Sequence, residues 1–290
     1  MSRRLDWARD GRDWPNREAS RFVQAAGLRW HVQVMGRGPT VLLVHGTGAA
    51  THSWRDVAPL LARGASVIAP DLPGHGFSEQ GPLHRLSLPG MARSLAALLD
   101  ALDASPALAV GHSAGAAVVA RLSLDGAIAP RALVGLNAAL LPFGGLAGQL
   151  FSPIAKLLVA NPLVPRLFAG RAANRATVER MLRETGSQLD ERGVNLYHSV
   201  VRSPDHAAAA LGMMASWDLA GLSRDLPRLV PPLTLVVGGN DRTVPPSQAR
   251  EVARRVPGCR LVPLPGLGHL AHEERPAQVV DLLRPMLAAA

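Results

Sequence analysis

The motif G-x-S-x-G occurs once as Gly111-His112-Ser113-Ala114-Gly115, between an apolar run and an alanine-rich run. The apolar run predicts a buried strand that ends at the motif, and the alanine-rich run predicts a helix that begins there. In such a turn the serine hydroxyl points outward, and the neighbouring residues must be small. The free N–H groups at the start of the helix favour negative charge that develops beside the serine. The motif therefore predicts that Ser113 is a nucleophile in an α/β fold.

Predicted strands and helices alternate along most of the chain, which is typical of a mostly parallel sheet with helices on both faces. Eight strands are predicted, two of them within residues 21–34 and the others at 40–44, 67–69, 107–110, 132–136, 233–237 and 260–264. The predicted helices between them are at 54–63, 89–102, 114–122, 246–255 and 276–287. Two tryptophans, Trp7 and Trp14, are expected to anchor a polar leader to this sheet.

Between residues 140 and 214 the alternation stops, and the sequence predicts several short helices without a strand. These helices are predicted at residues 150–160, 162–169, 176–184, 193–202 and 206–214. An insertion between the sixth and seventh strands should lie over the strand ends as a cap. We therefore divide the chain into a first core segment at 1–139 with a leader at 1–20, a helical cap at 140–214, and a second core segment at 215–290.

A serine hydroxyl needs a base, and the base needs a group that orients it. Asp241 follows the predicted strand at 233–237, and His269 follows the last predicted strand. The chain order Ser113, Asp241, His269 is the order used by hydrolases with this serine motif. Side chains that follow parallel strands can meet in the crevice at the carboxyl edge of the sheet. These three residues are our predicted catalytic triad.

Each assignment has an alternative. Asp241 could cap the helix that follows it, and His272 could replace His269 as the base. The histidines His75 and His112 lie in turns near the predicted centre, where structural roles are more common than catalytic ones. No histidine pair has the spacing of a metal-binding motif, so we predict no metal and no cofactor.

The negative charge that forms on the substrate oxygen needs hydrogen-bond donors. The backbone N–H groups of Thr47 and Ala114 are the predicted donors, because Thr47 follows a His-Gly turn and Ala114 follows the nucleophile. The cap is rich in apolar residues, which predicts a pocket for a bulky apolar or amphiphilic substrate. The expected pocket residues are His45, His112, Phe143, Leu150, Met213 and Met214.

The formal net charge of +9 suggests nucleic-acid binding, but the arginines are dispersed and Lys156 is the sole lysine. Nucleic-acid binding needs a clustered patch, so we exclude it. Cys259 is the only cysteine, which rules out an internal disulfide and fits a reducing compartment. The first 21 residues lack an apolar core, and the uncharged stretch at 132–155 contains two prolines. We therefore expect a cytoplasmic protein without a secretion signal or a membrane-spanning helix, although the arginines would favour contact with an anionic membrane surface.

These motifs resemble the α/β-hydrolase superfamily with a helical cap. The resemblance runs from about residue 22 to residue 287 and includes His45-Gly46-Thr47-Gly48 and Asp71-Leu72-Pro73-Gly74-His75-Gly76. It implies an eight-stranded α/β-hydrolase fold with the cap inserted after the sixth strand. Because a serine stands at position 113, where dehalogenase and epoxide-hydrolase members carry aspartate, the resemblance implies hydrolysis of an ester, thioester, lactone or carbon–carbon bond, with cofactor-free perhydrolysis as a further alternative.

A narrower resemblance is to the accessory hydrolase-like proteins of bacteriochlorophyll biosynthesis that are associated with magnesium chelatase. It is carried by residues 14–23, 45–54 and 266–274. It implies a role in photosynthetic pigment synthesis near magnesium insertion, with a tetrapyrrole or another amphiphile as substrate and chelatase subunits as partners. The alternative is a non-catalytic protein of the same fold that binds pigment or assists chelatase assembly, since a fold alone does not imply catalysis.

Overall fold

The structure is a computed structural model, and it describes residues 4–142, 161 and 163–288. Eight strands form one sheet. The strands are β1 (Ser20–Ala25), β2 (Leu28–Met35), β3 (Thr40–Val44), β4 (Ser66–Pro70), β5 (Leu108–His112), β6 (Ala132–Leu136), β7 (Leu233–Gly238) and β8 (Arg260–Leu264). All eight predicted strands are thereby confirmed, with shifts at their ends.

The strand order in the sheet is β1-β2-β4-β3-β5-β6-β7-β8. The hairpin of β1 and β2 is antiparallel, and β2 also pairs antiparallel with β4. All other neighbours are parallel, so β3 to β8 end at one edge of the sheet. The central strands β3 and β5 are mostly apolar and almost entirely buried, as expected of strands covered on both faces.

The helices described in the structure are α1 (Trp7–Asp10), α2 (Val57–Leu61), α3 (Leu88–Ala101), α4 (Ala114–Leu124), α5 (Leu163–Ala172), α6 (Arg175–Glu184), α7 (Glu191–Val201), α8 (Pro204–Ser216), α9 (Ala220–Asp225), α10 (Pro246–Arg255), α11 (Ala271–Glu274) and α12 (Pro276–Ala288). Short 3-10 turns occur at Arg17–Ala19, Thr51–Trp54, Leu83–Leu86 and Leu226–Arg228.

One apolar core contains buried residues of α3 and α4, such as Leu95 and Val118. A second core contains residues of α2 and α12, such as Leu61 and Leu283. Strand residues that point to opposite faces of the sheet divide between the two cores: Leu42 lies in the first and Leu43 in the second. The predicted α/β-hydrolase fold, with helices on both faces of a mostly parallel sheet, is therefore confirmed.

One predicted core helix is shorter than expected. The helix predicted at 54–63 is a 3-10 turn at Thr51–Trp54 followed by α2 at Val57–Leu61. Pro59 lies in the third position of α2. Because proline has no N–H group to donate, it is tolerated in the first turn of a helix but not in the interior. The helix must therefore begin only just before Pro59.

Helices α5 to α8 lie between β6 and β7, at the position predicted for the cap, and each begins and ends within a few residues of a predicted helix. The helix predicted at 150–160 lies outside the described residues. Within the part of the chain that is described, no helix combines the length and apolar character that a membrane crossing requires.

The leader is anchored by its two tryptophans, as predicted. The Trp14 ring is buried, and its Nε1 atom donates to the Thr51 hydroxyl at 3.0 Å. The ring is nearly perpendicular to the ring of Phe77, at a centroid distance of 4.9 Å. The Trp7 ring packs against Phe77 and against Phe22. These contacts hold the leader against β1 and against the loop that follows β4.

Candidate active site

Ser113 forms the junction between β5 and α4, with φ 52° and ψ −119°. A positive φ is rare for a residue with a side chain, and such strain concentrates at functional sites. The strained backbone is held on both sides, because Ser113 N donates to Leu136 O at 3.0 Å and Ser113 O accepts from Ala139 N at 3.1 Å. Ser113 is half-buried, although the residues on either side of it are buried. The turn therefore presents this side chain at the carboxyl edge of the sheet.

Close packing explains the small residues around Ser113. A Cβ atom added to Gly115 would lie 2.3 Å from the Val44 carbonyl oxygen. A Cβ atom added to Gly46 would lie 3.0 Å from the Ser113 Cβ atom. The loop after β3 therefore runs directly beside Ser113, and neither glycine has room for a side chain.

Asp241 and His269 form a buried pair at the ends of β7 and β8. The Asp241 Oδ2 atom accepts from His269 Nδ1 at 2.8 Å. The Asp241 Oδ1 atom accepts from the N–H groups of Thr243 and Val244 at 2.8 and 2.9 Å. One oxygen of Asp241 thus contacts the histidine and the other contacts the loop backbone that follows. Asp241 does not cap α10, which begins at Pro246 without a side-chain cap, so the alternative role of helix cap was wrong.

Asn137 is a site residue that the sequence analysis missed. It follows β6 with φ 47°, and its Nδ2 atom donates to Asp241 Oδ2 at 2.7 Å. Asparagine tolerates this left-handed conformation better than most residues. An asparagine directly after the sixth strand is the only signal that could have found it, because its contact with Asp241 spans 104 residues of sequence.

The hydrogen bond to Asp241 sets the tautomer of the neutral His269 ring. Nδ1 carries the proton and donates it to Asp241, so Nε2 is left as an acceptor. The backbone of His269 is also held: its carbonyl oxygen lies 2.9 Å from His112 Nε2, and its N–H donates to Thr185 O at 3.4 Å. Among the described residues, no hydrogen bond joins the Ser113 hydroxyl to His269. Such contacts are often long in a free enzyme and tighten when substrate binds.

The N–H groups of Thr47 and Ala114 donate no hydrogen bond within the described part of the chain. Ala114 begins α4, where the first N–H groups have no partner in the helix. Thr47 is half-buried in the loop beside Ser113. Both groups are thus free to bind an oxygen at the serine.

The structure buries two of the residues expected in the substrate pocket. His45 is fully buried, its Nε2 atom accepts from Leu72 N at 2.9 Å, and its Nδ1 atom lies 2.8 Å from Gly46 O. His112 is also buried, and burial together with the nearby His272 holds the pKa of His112 well below its usual value. Both rings contact the backbone of neighbouring loops, and their place in the substrate pocket stays a prediction.

Met213 and Met214 lie on α8 of the cap. The Met213 side chain is buried, and its Sδ atom is 3.4 Å from the Thr47 hydroxyl. Met214 is exposed. Phe143 and Leu150 lie outside the described residues, so the pocket assignment stays a prediction for these four positions.

His272, the alternative base, lies away from the Asp241 carboxylate. Its ring is fully buried between Trp54 and His112, at centroid distances of 4.7 and 4.5 Å. Burial, with the nearby His269 and Arg55, lowers its pKa to about 3. Neither ring nitrogen has a hydrogen-bond partner among the described residues. His272 therefore lacks the carboxylate that orients His269.

The next residue, Glu273, joins the core to the cap. Its side chain is buried, pairs with Arg55, and accepts from the Tyr197 hydroxyl at 2.7 Å. Burial raises the pKa of Glu273 to about 7, although Arg55 opposes that effect. Because Tyr197 lies on α7, these contacts join the cap helix α7 to the segment that follows the His269 loop.

The cap also contacts the two loops that carry Asp241 and His269. The Thr185 carbonyl oxygen accepts the N–H groups of both Arg242 and His269, at 3.1 and 3.4 Å. The Ser187 hydroxyl accepts from Leu270 N at 2.8 Å. Residues between α6 and α7 therefore bridge the loops that follow β7 and β8.

Within residues 4–142, 161 and 163–288, no cluster of three or more histidine, cysteine or acidic side chains could hold a metal ion. Cys259 is half-buried next to β8, and burial raises the pKa of its thiol to about 11. A thiol with that pKa stays protonated near neutral pH, which makes Cys259 a poor nucleophile.

The fold and these loops define an α/β hydrolase. The family model of the alpha/beta hydrolase family matches residues 41–282, and the chain belongs to that family. The Magnesium-chelatase 30 kDa subunit of Rhodobacter capsulatus is 40% identical over 263 residues, covering 90% of this chain and 92% of that protein.

Two other relatives extend the comparison. The pyrrolizixenacetamide deacetylase of Xenorhabdus hominickii is 30% identical over 261 residues, with 87% of this chain and 92% of that protein covered. The crystal structure of an alpha/beta hydrolase fold protein from Burkholderia ambifaria superposes with a TM-score of 0.77 at 26% identity, covering 98% of this chain and 99% of that one.

Proposed function

We propose that this protein is a serine hydrolase that cleaves an ester-like bond of a bulky apolar or amphiphilic substrate. The observation that carries the proposal is the buried His269–Asp241 hydrogen bond of 2.8 Å, at the same sheet edge as the strained Ser113. A fold can be kept without its chemistry, but this buried hydrogen-bonded pair beside a strained serine favours a catalytic protein.

In the proposed reaction, Ser113 Oγ attacks the carbonyl carbon of the ester while His269 Nε2 takes the hydroxyl proton. Asp241 stabilises the imidazolium that forms. The carbonyl oxygen becomes an oxyanion and accepts the N–H groups of Thr47 and Ala114. Collapse of this intermediate breaks the bond to the leaving alcohol, which receives the proton from His269. Water then attacks the acyl-serine by the same route and releases the acid.

The apolar residues predicted for the cap support a substrate with a large apolar group. The relationship to the Rhodobacter capsulatus protein named as a magnesium-chelatase subunit favours a role at the magnesium chelatase step of bacteriochlorophyll biosynthesis. In this role the protein acts in the cytoplasm, with chelatase subunits as partners. The relationship to a named deacetylase favours hydrolysis of an acyl bond.

The test of the hydrolase is covalent labelling with a fluorophosphonate, combined with turnover of p-nitrophenyl esters of increasing acyl length. We expect one label per chain at Ser113, faster turnover of the longer esters, and neither reaction in Ser113→Ala. Equal labelling of Ser113→Ala and the unaltered protein would refute the proposal.

The second candidate is a non-catalytic protein that binds pigment or assists chelatase assembly, and the chelatase name of the relative at 40% identity favours it. Titration with protoporphyrin, followed by the quenching of tryptophan fluorescence, separates the two. Tight porphyrin binding by a protein that neither labels nor turns over esters would favour this second function.

A further inference from the structure

His206, on the cap helix α8, contacts two loops of the core. Its ring is buried, with 2% of the residue exposed. The Nδ1 atom accepts from Gly76 N at 3.0 Å, and the Nε2 atom lies 3.0 Å from Gly48 O. Gly48 directly follows Thr47, one of the two proposed oxyanion donors. A cap residue thus touches the loop on which the proposed reaction depends.

The direction of both hydrogen bonds follows from the backbone partners. The N–H group of Gly76 can only donate, so Nδ1 carries no proton and the neutral ring carries it on Nε2. The Nε2–H group therefore donates to the Gly48 carbonyl. Burial lowers the pKa of His206 to about 4, which keeps this arrangement intact near neutral pH.

The loop needs such support because Thr47 lies between two glycines. Gly48 has φ +74°, and glycines leave the backbone many conformations. His45 holds the start of the loop through its bond to Leu72 N at 2.9 Å. The end of the loop is held from α8, by His206 on Gly48 and by Met213 Sδ at 3.4 Å from the Thr47 hydroxyl.

We infer that His206 is a positioning residue that holds the Thr47 N–H group in line with the oxyanion, so that the cap helix α8 is part of the catalytic geometry. This inference rests on the proposed function. The oxyanion forms only in the transition state, and a misaligned donor therefore slows the chemical step without weakening substrate binding. The expected signature is a lower kcat at an unchanged KM.

Two substitutions separate the two hydrogen bonds of His206. In His206→Gln the side-chain amide reaches the Nε2 position and can still donate to Gly48. In His206→Asn the shorter amide reaches only the Nδ1 position and can accept from Gly76. The matched control is His198→Asn, because His198 is another cap histidine whose Nε2 atom lies 2.9 Å from a carbonyl, that of Ala173.

The readouts are kcat and KM for a p-nitrophenyl ester and the rate constant of fluorophosphonate labelling at Ser113, with the thermal unfolding midpoint measured for each variant. In His206→Asn we expect kcat and the labelling rate to fall by about 10- to 100-fold at an unchanged KM, since a lost oxyanion donor costs about 100-fold or more. In His206→Gln and His198→Asn both rates should stay within about threefold of the unaltered protein.

Unchanged labelling in His206→Asn, while the unaltered protein labels at Ser113, would overturn the inference and leave the proposed function standing. An equal loss in His206→Gln and His206→Asn would also overturn it, because the donor to Gly48 would then not matter. If Ser113 does not label in the unaltered protein, the proposed function fails and the inference fails with it.

Discussion

The His269 Nδ1 atom and the Asn137 Nδ2 atom both donate to one oxygen of Asp241, at 2.8 and 2.7 Å. The other carboxylate oxygen accepts two backbone N–H groups. Four donors around one carboxylate fix the plane of the carboxylate. The orientation of the His269 ring therefore depends on residues from three separate strand ends, and substitutions there test the proposed reaction.

Asp241→Asn should remove catalysis and leave the fold intact. The asparagine oxygen can still accept the Thr243 and Val244 N–H groups, but its amide would donate to His269 Nδ1 and move the imidazole proton to Nε2. That nitrogen could then no longer accept the serine proton, and kcat should fall by about 10⁴-fold. Ester turnover and urea unfolding measure the two effects. Retained turnover with lowered stability would mean that Asp241 only caps the backbone.

Asn137→Asp should lower the activity more than Asn137→Gly does. The new carboxyl group would face Asp241 at about the present distance, and two carboxylates that close cannot both stay charged, so they would share a proton. A proton held between them weakens the acceptor that orients His269. In the control Asn137→Gly, which tolerates the positive φ, Asp241 keeps its other donors, so kcat for ester turnover should fall less. Equal activity of the two variants would argue against the contact.

His272→Phe should keep the proposed activity, because the His272 ring lies between Trp54 and His112, whereas Asp241 is hydrogen-bonded to His269. The phenyl ring fills the same apolar space, so kcat should stay within about threefold of the unaltered value. The matched change His269→Phe should abolish turnover. If His272→Phe were inactive and His269→Phe active, the base would be His272.

His272→Phe should also lose less stability at low pH than the unaltered protein does. The pKa of His272 is lowered to about 3 in the folded protein from an ordinary value near 6.5, so between these pH values only the unfolded chain binds the proton. The free energy of unfolding then falls as pH drops below about 6.5, by about 1.4 kcal/mol per pH unit for this one group. Urea unfolding at pH 7 and pH 5 should show His272→Phe gaining about 2 kcal/mol on the unaltered protein. An identical pH dependence of the two proteins would show that His272 is not held neutral.

Gly115→Ala should destabilise the protein. The added methyl group would lie 2.3 Å from Val44 O and 2.6 Å from His45 O, and neither backbone can move without disturbing the sheet. A loss of about 2–4 kcal/mol in the free energy of unfolding is expected. The control is Gly170→Ala on α5, where the methyl group would meet nothing within 4 Å and should stabilise by up to about 1 kcal/mol. Equal stability of the two variants would contradict the packing argument.

The sequence was sufficient to predict the sheet and to suggest three candidate catalytic residues. Strands such as β3 and β5 are continuous apolar runs, and each ends in a loop rich in glycine or polar residues. These signals are local, because burial on both faces and turn chemistry act within a few residues. The order of Ser113, Asp241 and His269 could be read from the same loops, although their catalytic roles remain a proposal.

Only the tertiary structure shows how these loops are held together. Asn137, Thr185 and His206 each contact a loop that lies far away in sequence, and local sequence does not predict such contacts. His45 and His112 were predicted as pocket residues from their loops, and only the structure shows that their rings are buried and hydrogen-bonded to distant backbone. The physical reason is the same in both cases: local sequence sets which turns and strands form, whereas burial and hydrogen-bond partners depend on how distant segments pack.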